Sequence, residues 1–156
     1  MDYITISSFT GKYDFLSNFY PCRVSYKGLE YHHTEGAFQA QKSLNEQDKK
    51  VIANMVNPSE AKKAAGRRGF VKLRPDWEEV KDQIMDEVLI AKFTQNPELR
   101  DRLLATGDAM LVEGNTWHDN YWGNCICARC RTKVGRNQLG KNLMSIREEL
   151  RKEQNE

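Results

Sequence analysis

The residue types most able to do chemistry occur in three short stretches of the chain. In the first, residues 34–42, Glu35, Gln39 and Lys42 are spaced four and three residues apart, so a helix would place them on one face. A carboxylate, an amide and an amine side by side could bind a polar ligand. The alternative is a solvated polar stripe, with Glu35 favoured in the first turn by the helix dipole.

The second stretch, residues 66–77, is a basic connector between two predicted helices. The planar guanidinium groups of Arg67 and Arg74 suit phosphate, and the ring of Trp77 can stack on a heterocycle. This stretch therefore predicts either a segment that binds phosphate and base, or a solvated loop beside a core tryptophan.

The third stretch, residues 114–124, concentrates aromatic side chains, among them Trp122, around Asp119. Exposed aromatic rings are costly, so they either fill a core or line a pocket, and we expect a pocket. Asp119 could pair with Glu35, since glycosyl-bond cleavage uses two carboxylates: one serves the leaving group, and the other manages water and an oxocarbenium-like centre. Sequence spacing does not decide whether the two meet.

The cysteines suggest a metal site. They are Cys22, Cys125, Cys127 and Cys130, the last three forming a C-x-C-x2-C knuckle. Structural zinc takes four nitrogen or sulfur ligands, so the four cysteines would suffice, with His118 or His33 as a substitute for Cys22. Free thiols are the alternative, and disulfides are disfavoured in a cytosolic chain. Such a zinc would be structural and would pin the loop that carries Asp119.

The remaining sequence predicts the elements that must position these residues. Residues 3–6 read as a strand, and residues 22–26 and 29–32 as a hairpin around Lys27-Gly28. Three helices are predicted in the first half of the chain: one from an N-cap at Thr34 to about residue 43, one over residues 46–56, and a short one that ends at Gly66. Three more are predicted in the second half: Trp77–Gln95 with an Asp76/Glu79 capping box, a helix after Pro97, and the C-terminal segment Leu139–Leu150. Residues 109–112 predict a strand, and residues 113–136 form a long segment without periodicity.

The composition supports one globular α+β domain. The 156 residues carry 24 basic and 22 acidic side chains, a balance that argues against a broad nucleic-acid-binding coat. The start, Met1-Asp2-Tyr3, lacks the features of a signal peptide, and no uncharged apolar stretch of about 18 residues occurs. We expect a compact, helix-rich single domain over residues 1–156 with a small β element, a polar tail from about residue 151, a cytoplasmic location and no membrane contact.

The ordered motifs resemble the NADAR family, also called YbiA-like. The resemblance rests on Phe15-Leu16-Ser17-Asn18-Phe19, residues 34–42, Gly66-Arg67, Leu73-Arg74 with Asp76-Trp77, Tyr121-Trp122-Gly123 and residues 135–140, and it extends from about Phe15 to Leu150. It implies the YbiA-like fold and an N-glycosidase that cleaves the C1′–N bond of ribose with water and needs no cofactor. The substrate would be small and nucleotide-like, a ribosylamino-pyrimidine 5′-phosphate intermediate of riboflavin synthesis, or else ADP-ribose on modified guanine in nucleic acid.

The resemblance also implies roles for individual residues. The family's catalytic positions fall on Glu35, Trp77 and Asp119. The candidates for substrate binding are Asn18, Gln39, Lys42, Arg67, Arg74 and Trp122. Two other classes of function remain open: a non-catalytic module that binds ADP-ribose or a nucleotide, and a zinc-knuckle nucleic-acid-binding protein supported by the basic residues beside the cysteines. No oligomeric state is implied.

Overall fold

The computed structural model describes residues 4–155. In chain order its elements are β1 (Thr5–Ile6), a 3-10 helix (Gly11–Leu16), β2 (Val24–Tyr26), β3 (Leu29–Tyr31), α1 (Thr34–Ala40), α2 (Glu46–Ala53), α3 (Pro58–Ala64), α4 (Trp77–Gln95), α5 (Pro97–Ala105), β4 (Met110–Leu111), β5 (Gly114–Asn115), β6 (Asn124–Cys125) and α6 (Gln138–Gln154). Helices with short strands confirm the α+β class. No helix among the described residues is long and apolar enough to cross a membrane.

The described residues form two compact units. Asn18–Pro97 make up the first, here called the helical unit, and residues 4–17 with 98–155 make up the second, here called the terminal unit. The prediction of a single domain stays a prediction. The polar end of the chain continues as the last turn of α6, which runs to Gln154.

In the helical unit, a hairpin and α4 surround α1. Strands β2 and β3 pair antiparallel, with Val24 opposite Tyr31. Lys27 and Gly28 both have positive φ, 48° and 86°, as a two-residue hairpin turn whose twist matches that of the strands requires. Helix α1 contacts α2, α3, α4 and both strands, and each of its seven residues is buried. Its polar side chains must therefore find partners inside the protein.

One predicted helix cap is wrong, and another lacks its predicted side-chain bond. His33, not Thr34, is the N-cap of α1, because its ring nitrogen accepts a hydrogen bond from the Gly36 N–H. Helix α4 spans Trp77–Gln95 as predicted, but Asp76 makes no side-chain cap bond. Its carboxylate is occupied by Arg74, whose guanidinium donates to both oxygens.

In the terminal unit, short parallel strand pairs join distant segments. Thr5–Ile6 pairs with Met110–Leu111, and Gly114–Asn115 pairs with Asn124–Cys125. Helix α6 packs on β4, and this approach requires a glycine. A Cβ built on Gly140 would lie 2.1 Å from the carbonyl oxygen of Leu111.

We expect Gly140→Ala to destabilise the protein, because backbone on both sides must move to admit one methyl group. Overpacking of this kind costs about 1–3 kcal/mol, which corresponds to a fall in Tm of roughly 2–12 °C for a chain of this size. Thermal unfolding measures it. The matched control is Lys141→Ala, since the next side chain is exposed. An unchanged Tm for Gly140→Ala would contradict the close packing of α6 on β4.

Candidate active site

Glu35 lies in the first turn of α1, where Asn18 holds the helix start. The Glu35 N–H donates to the carbonyl oxygen of Asn18 at 3.0 Å, and the Thr34 hydroxyl donates to the Asn18 side-chain oxygen at 2.8 Å. The Asn18 amide nitrogen in turn contacts the Met85 sulfur of α4 at 3.5 Å. Asn18, a candidate for substrate binding, thus links α1 to α4 and sets the position of Glu35.

The cap residue His33 fixes the same helix end from the other side. Its Nδ1 accepts from the Gly36 N–H at 2.9 Å, and its Nε2 lies 3.0 Å from the carbonyl oxygen of Met55, to which it donates. One accepting and one donating nitrogen define the neutral ring. Burial lowers the pKa of His33, against hydrogen bonds that favour its protonation, and a low pKa keeps this cap neutral.

Gln39 pairs with Glu35 inside the protein. The Gln39 Nε2 donates to Glu35 Oε1 at 2.9 Å, and the two side chains are 6 % and 7 % exposed. An ionised carboxylate only accepts hydrogen bonds, so the amide nitrogen must face Glu35 and Gln39 Oε1 must point elsewhere. Within the described part of the chain that buried oxygen has no hydrogen-bond partner. Gln39 therefore offers an unused acceptor immediately beside the Glu35 carboxylate.

Lys42 and Trp77 lie together in the helical unit. Trp77 is buried, its ring 5.1 Å from that of Phe38, and the Lys42 ammonium is 5.7 Å from the Trp77 centroid. Burial lowers the pKa of Lys42, while the Glu35 charge raises it. Most of the Trp77 ring is therefore buried as a core side chain. Lys42 adds a cation within the electrostatic reach of Glu35.

The two arginines predicted to bind phosphate differ in their surroundings. Arg67 is exposed on the connector. Arg74 is held by both oxygens of Asp76 at 2.6 and 3.0 Å, and its backbone N–H donates to the Lys42 carbonyl at 2.8 Å. The hydrogen bonds from Arg74 hold the pKa of the Asp76 carboxyl below its usual value. Arg74 therefore ties the connector to the end of α1.

Asp119 lies in the terminal unit and shapes its own loop. Its Oδ1 accepts the backbone N–H groups of Tyr121 at 3.1 Å and Trp122 at 2.9 Å. The two aromatic rings meet edge to face at 4.9 Å, and Arg136 stacks on Tyr121 at 4.6 Å. One of the two Asp119 carboxylate oxygens thus stabilises the turn that positions Trp122. Whether Asp119 acts with Glu35 stays a prediction.

Asparagine side chains hold the long aperiodic segment, a role that the sequence analysis missed. Asn115 bonds both backbone polar groups of Asp119, Asn120 accepts the Cys125 N–H, and Asn137 bridges Glu113 to Leu111. The density of asparagine between residues 115 and 137 was the available signal, because this side chain mimics backbone donors and acceptors.

The three cysteines of the predicted knuckle lie together with a histidine. The ligand atoms of His118, Cys125, Cys127 and Cys130 all lie within 4.8 Å of one another. His118 Nδ1 is 3.3, 3.4 and 3.9 Å from the three sulfurs. Tetrahedral zinc with Zn–S near 2.3 Å and Zn–N near 2.0–2.1 Å would set nitrogen and sulfur about 3.5 Å apart. The arrangement fits a four-coordinate metal site with one imidazole and three thiolates.

Cys22, the expected fourth ligand, is not a member of this cluster. It is half-buried in the helical unit, where burial raises the pKa of its thiol against the opposing charge of Lys92. His118 replaces it, as the substitute that the sequence allowed. The positive φ of His118, 69°, turns the backbone sharply at this residue, a local feature that ligand spacing alone does not reveal.

Comparison with known proteins gives a consistent picture. The family model described as the NADAR domain matches residues 7–151. An N-glycosidase of Nostoc punctiforme is 40 % identical over 142 residues, covering 89 % of this chain and 86 % of the relative. The N-glycosidase YbiA of Escherichia coli K12 is also 40 % identical, over 147 residues, covering 94 % and 88 %.

The likeness extends to structure. An NMR structure of Escherichia coli YbiA matches with a TM-score of 0.81 and 38 % identity, covering 98 % of this chain and 87 % of that one. A more distant relative, named a riboflavin biosynthesis protein of Vibrio vulnificus, is 35 % identical over 138 residues, which are 87 % of this chain and 35 % of the relative.

The neutral His33 cap predicts a pH-dependent stability. Because its pKa is lowered in the folded state, the unfolded chain binds that proton more readily, so stability is lost as pH falls below the ordinary histidine value of about 6.5. His33→Asn keeps a capping acceptor that does not titrate, and its Tm should fall less between about pH 7 and pH 5. The control is His32→Asn, at an exposed position. Identical pH profiles for wild type and His33→Asn would refute the neutral cap.

Proposed function

The chain belongs to the NADAR domain family, and from this premise we propose that it hydrolyses the C1′–N bond of a nucleotide-like ribosylamine with Glu35 at the reacting centre. Its similarity to relatives named N-glycosidases supports its assignment as a hydrolase of N-glycosyl bonds. The observation that carries the assignment to Glu35 is its burial beside Gln39 Oε1, an acceptor without a partner in the described residues. A buried acceptor without a hydrogen-bond partner costs free energy unless a ligand meets it.

The reaction needs charge stabilisation at the anomeric carbon. As the C1′–N bond breaks, its electron pair leaves with the nitrogen, which takes up a proton, and water adds to C1′ and gives up a proton. Positive charge grows at C1′ before water adds. The Glu35 carboxylate would stabilise that charge and orient the water, and its low exposure strengthens the effect because little solvent competes.

The other candidates take supporting parts in this proposal. Gln39 Oε1 would accept a hydrogen bond from a ribose hydroxyl, and Trp77 would pack on the base or sugar. Lys42 and Arg67 are the stronger phosphate candidates, because Arg74 already donates to Asp76. Asn18 would position Glu35. For Asp119 and Trp122, in the terminal unit, the proposed part rests on the family resemblance.

We favour a small substrate over a modified base in nucleic acid. The riboflavin biosynthesis name of the Vibrio vulnificus relative supports a ribosylamino-pyrimidine 5′-phosphate of that route, and ADP-ribose on guanine is the competing substrate. Four free cysteines fit a reducing compartment, so we also propose a cytoplasmic location. Ligand binding without release of ribose 5-phosphate or ADP-ribose would instead indicate a non-catalytic reader.

We propose that the His118 cluster holds a structural zinc, with no open coordination position for hydrolytic water. Three thiolates and one imidazole complete a closed tetrahedral set. The bound ion would fix the backbone on both sides of the loop, including the residue before Asp119. The C–N bond cleavage proposed above uses carboxylate chemistry and assigns no step to the metal.

Glu35→Gln should keep the fold and lose turnover, since the change preserves size and removes the charge. We expect kcat to fall by roughly 100-fold or more, the usual share of a general acid or base. Release of ribose 5-phosphate, followed by mass spectrometry, measures it. The control is Glu60→Gln at an exposed position of α3. A kcat within about 3-fold of wild type would remove Glu35 from the reacting centre.

Gln39→Met tests the polar end of the Gln39 side chain, because it keeps a similar volume but removes both the amide that donates to Glu35 and the unused acceptor. We expect kcat/KM to fall by about 10-fold or more, the loss of a hydrogen bond to a buried polar group. The matched control is Gln41→Met, since Gln41 is buried nearby but donates to Ala37 and Tyr31 within the protein. Gln41→Met should lower Tm and leave kcat/KM within about 3-fold. Equal effects on kcat/KM would contradict the role of Gln39.

The zinc proposal predicts about one zinc per chain by elemental analysis. Chelation should lower Tm, because binding free energy contributes to folding. Cys127→Ser should lose the metal, whereas Cys22→Ser should keep it, which separates the two candidate ligand sets. A metal-free protein of unchanged Tm, or loss of zinc in Cys22→Ser, would show that the cluster is not the site.

A further inference from the structure

The loop around the His118 cluster also presents an exposed surface that the proposed reaction does not use. Trp117 is 60 % exposed, and Ile126 is 66 % exposed. Large apolar side chains left in water on one loop commonly mark an interaction site. The Trp117 backbone N–H is fixed on the Asn115 side chain at 3.2 Å, so the exposed ring is carried by an anchored backbone.

The metal-ligand cluster brings these apolar residues close to basic ones. Trp117 precedes His118, and Ile126 lies between two cysteine ligands. Consecutive Cα atoms are about 3.8 Å apart, so the backbone of each of these neighbours lies one step from a residue of the cluster. Arg129 and Arg131, both exposed, flank the ligand Cys130. A backbone hydrogen bond from Lys133 to Cys130 at 2.8 Å turns the chain back toward the cluster.

We call Trp117, Ile126, Arg129, Arg131 and Lys133 the knuckle surface. Its charge is positive: residues 114–137 contain four basic residues and one acidic residue, Asp119. One oxygen of the Asp119 carboxylate accepts the backbone N–H groups of Tyr121 and Trp122. The whole chain carries only +2, so the positive charge of this loop is a local feature and not a consequence of a basic protein.

We propose that the knuckle surface binds single-stranded nucleic acid. One exposed indole would stack on a base, and three cations would contact the phosphates on either side, the combination by which proteins bind single strands without reading sequence. The five residues of the knuckle surface lie outside the helices and strands of the described chain, whereas a duplex groove is read by a helix or a two-stranded ribbon. This binding goes beyond the proposed hydrolysis and does not depend on it.

The experiment measures fluorescence anisotropy of a short labelled single-stranded DNA of mixed sequence against the full chain loaded with zinc. Three phosphate contacts should give a slope of log K against log salt near −2, since each contributes about −0.7 on single strands. Removing both arginines, Arg129→Ala with Arg131→Ala, should reduce that slope by about 1.4. The matched control, Lys141→Ala with Lys152→Ala on α6, should leave it unchanged.

Trp117 supplies the second readout. Trp117→Leu should weaken binding by roughly 5-fold to 150-fold, the range for one base stacked on an aromatic ring, and Trp117→Phe should recover most of it. Every knuckle variant should keep wild-type turnover of the small ribosylamine substrate, so failure of this proposal is distinguishable from failure of the proposed hydrolysis.

Three results would overturn the proposal. The first is no binding of the single strand at low salt. The second is equal loss in the knuckle and α6 double variants, which would mean that binding is diffuse. The third is binding to vesicles of anionic phospholipid with none to the single strand, which would assign the surface to a membrane.

Discussion

Burial of a carboxylate in α1 is the constraint on which the helical unit depends. All seven residues of this short helix are buried, and a buried polar side chain without a hydrogen bond costs about 1–3 kcal/mol, a large share of a total stability of about 5–15 kcal/mol. Glu35, Thr34 and His33 therefore each require a partner. Gln39 donates to Glu35, the Asn18 side chain accepts from Thr34, and the Met55 carbonyl accepts from His33. Among the described residues of this unit, Gln39 Oε1 is a buried acceptor without a partner and belongs to the side chain that donates to the carboxylate, and we propose that a substrate uses it.

The terminal unit contains a long segment that, among the described residues, has no regular structure beyond one pair of two-residue strands. This segment needs other contacts to be ordered. Asparagine side chains replace the missing backbone partners over residues 115–137. The ligand atoms of the histidine and three cysteines lie within 4.8 Å of one another in the middle of the segment, and the proposed zinc would hold them together. The asparagine contacts fix the backbone at Asp119, while the side chains of Trp117 and Ile126 stay exposed.

Local patterns predicted much of this structure, and competition between partners explains the remainder. The hairpin at Lys27-Gly28 and the bounds of Trp77–Gln95 follow from turn chemistry and helical periodicity. The expected capping box at Asp76 failed because a nearby guanidinium binds the same carboxylate more strongly than a backbone N–H does. Cys22 was a suitable metal ligand by residue type, but His118 is the fourth member of the cluster. Spacing along the sequence does not reveal which residues the fold brings together. Helix geometry predicted that Glu35 and Gln39 share a face, but their hydrogen bond and the acceptor without a partner are properties of the folded structure.

The central claim is that Glu35 and Gln39 face the substrate, and NMR tests it most directly in a protein of this size. The side-chain amide signals of Gln39 and Gln41, labelled with nitrogen-15, are followed while ribose 5-phosphate is added to saturation. Hydrogen bonding at Gln39 Oε1 polarises the amide, so the account predicts that the Gln39 signals shift and those of Gln41, which is bonded within the protein, stay in place. Backbone shifts elsewhere with the Gln39 signals unmoved would contradict it.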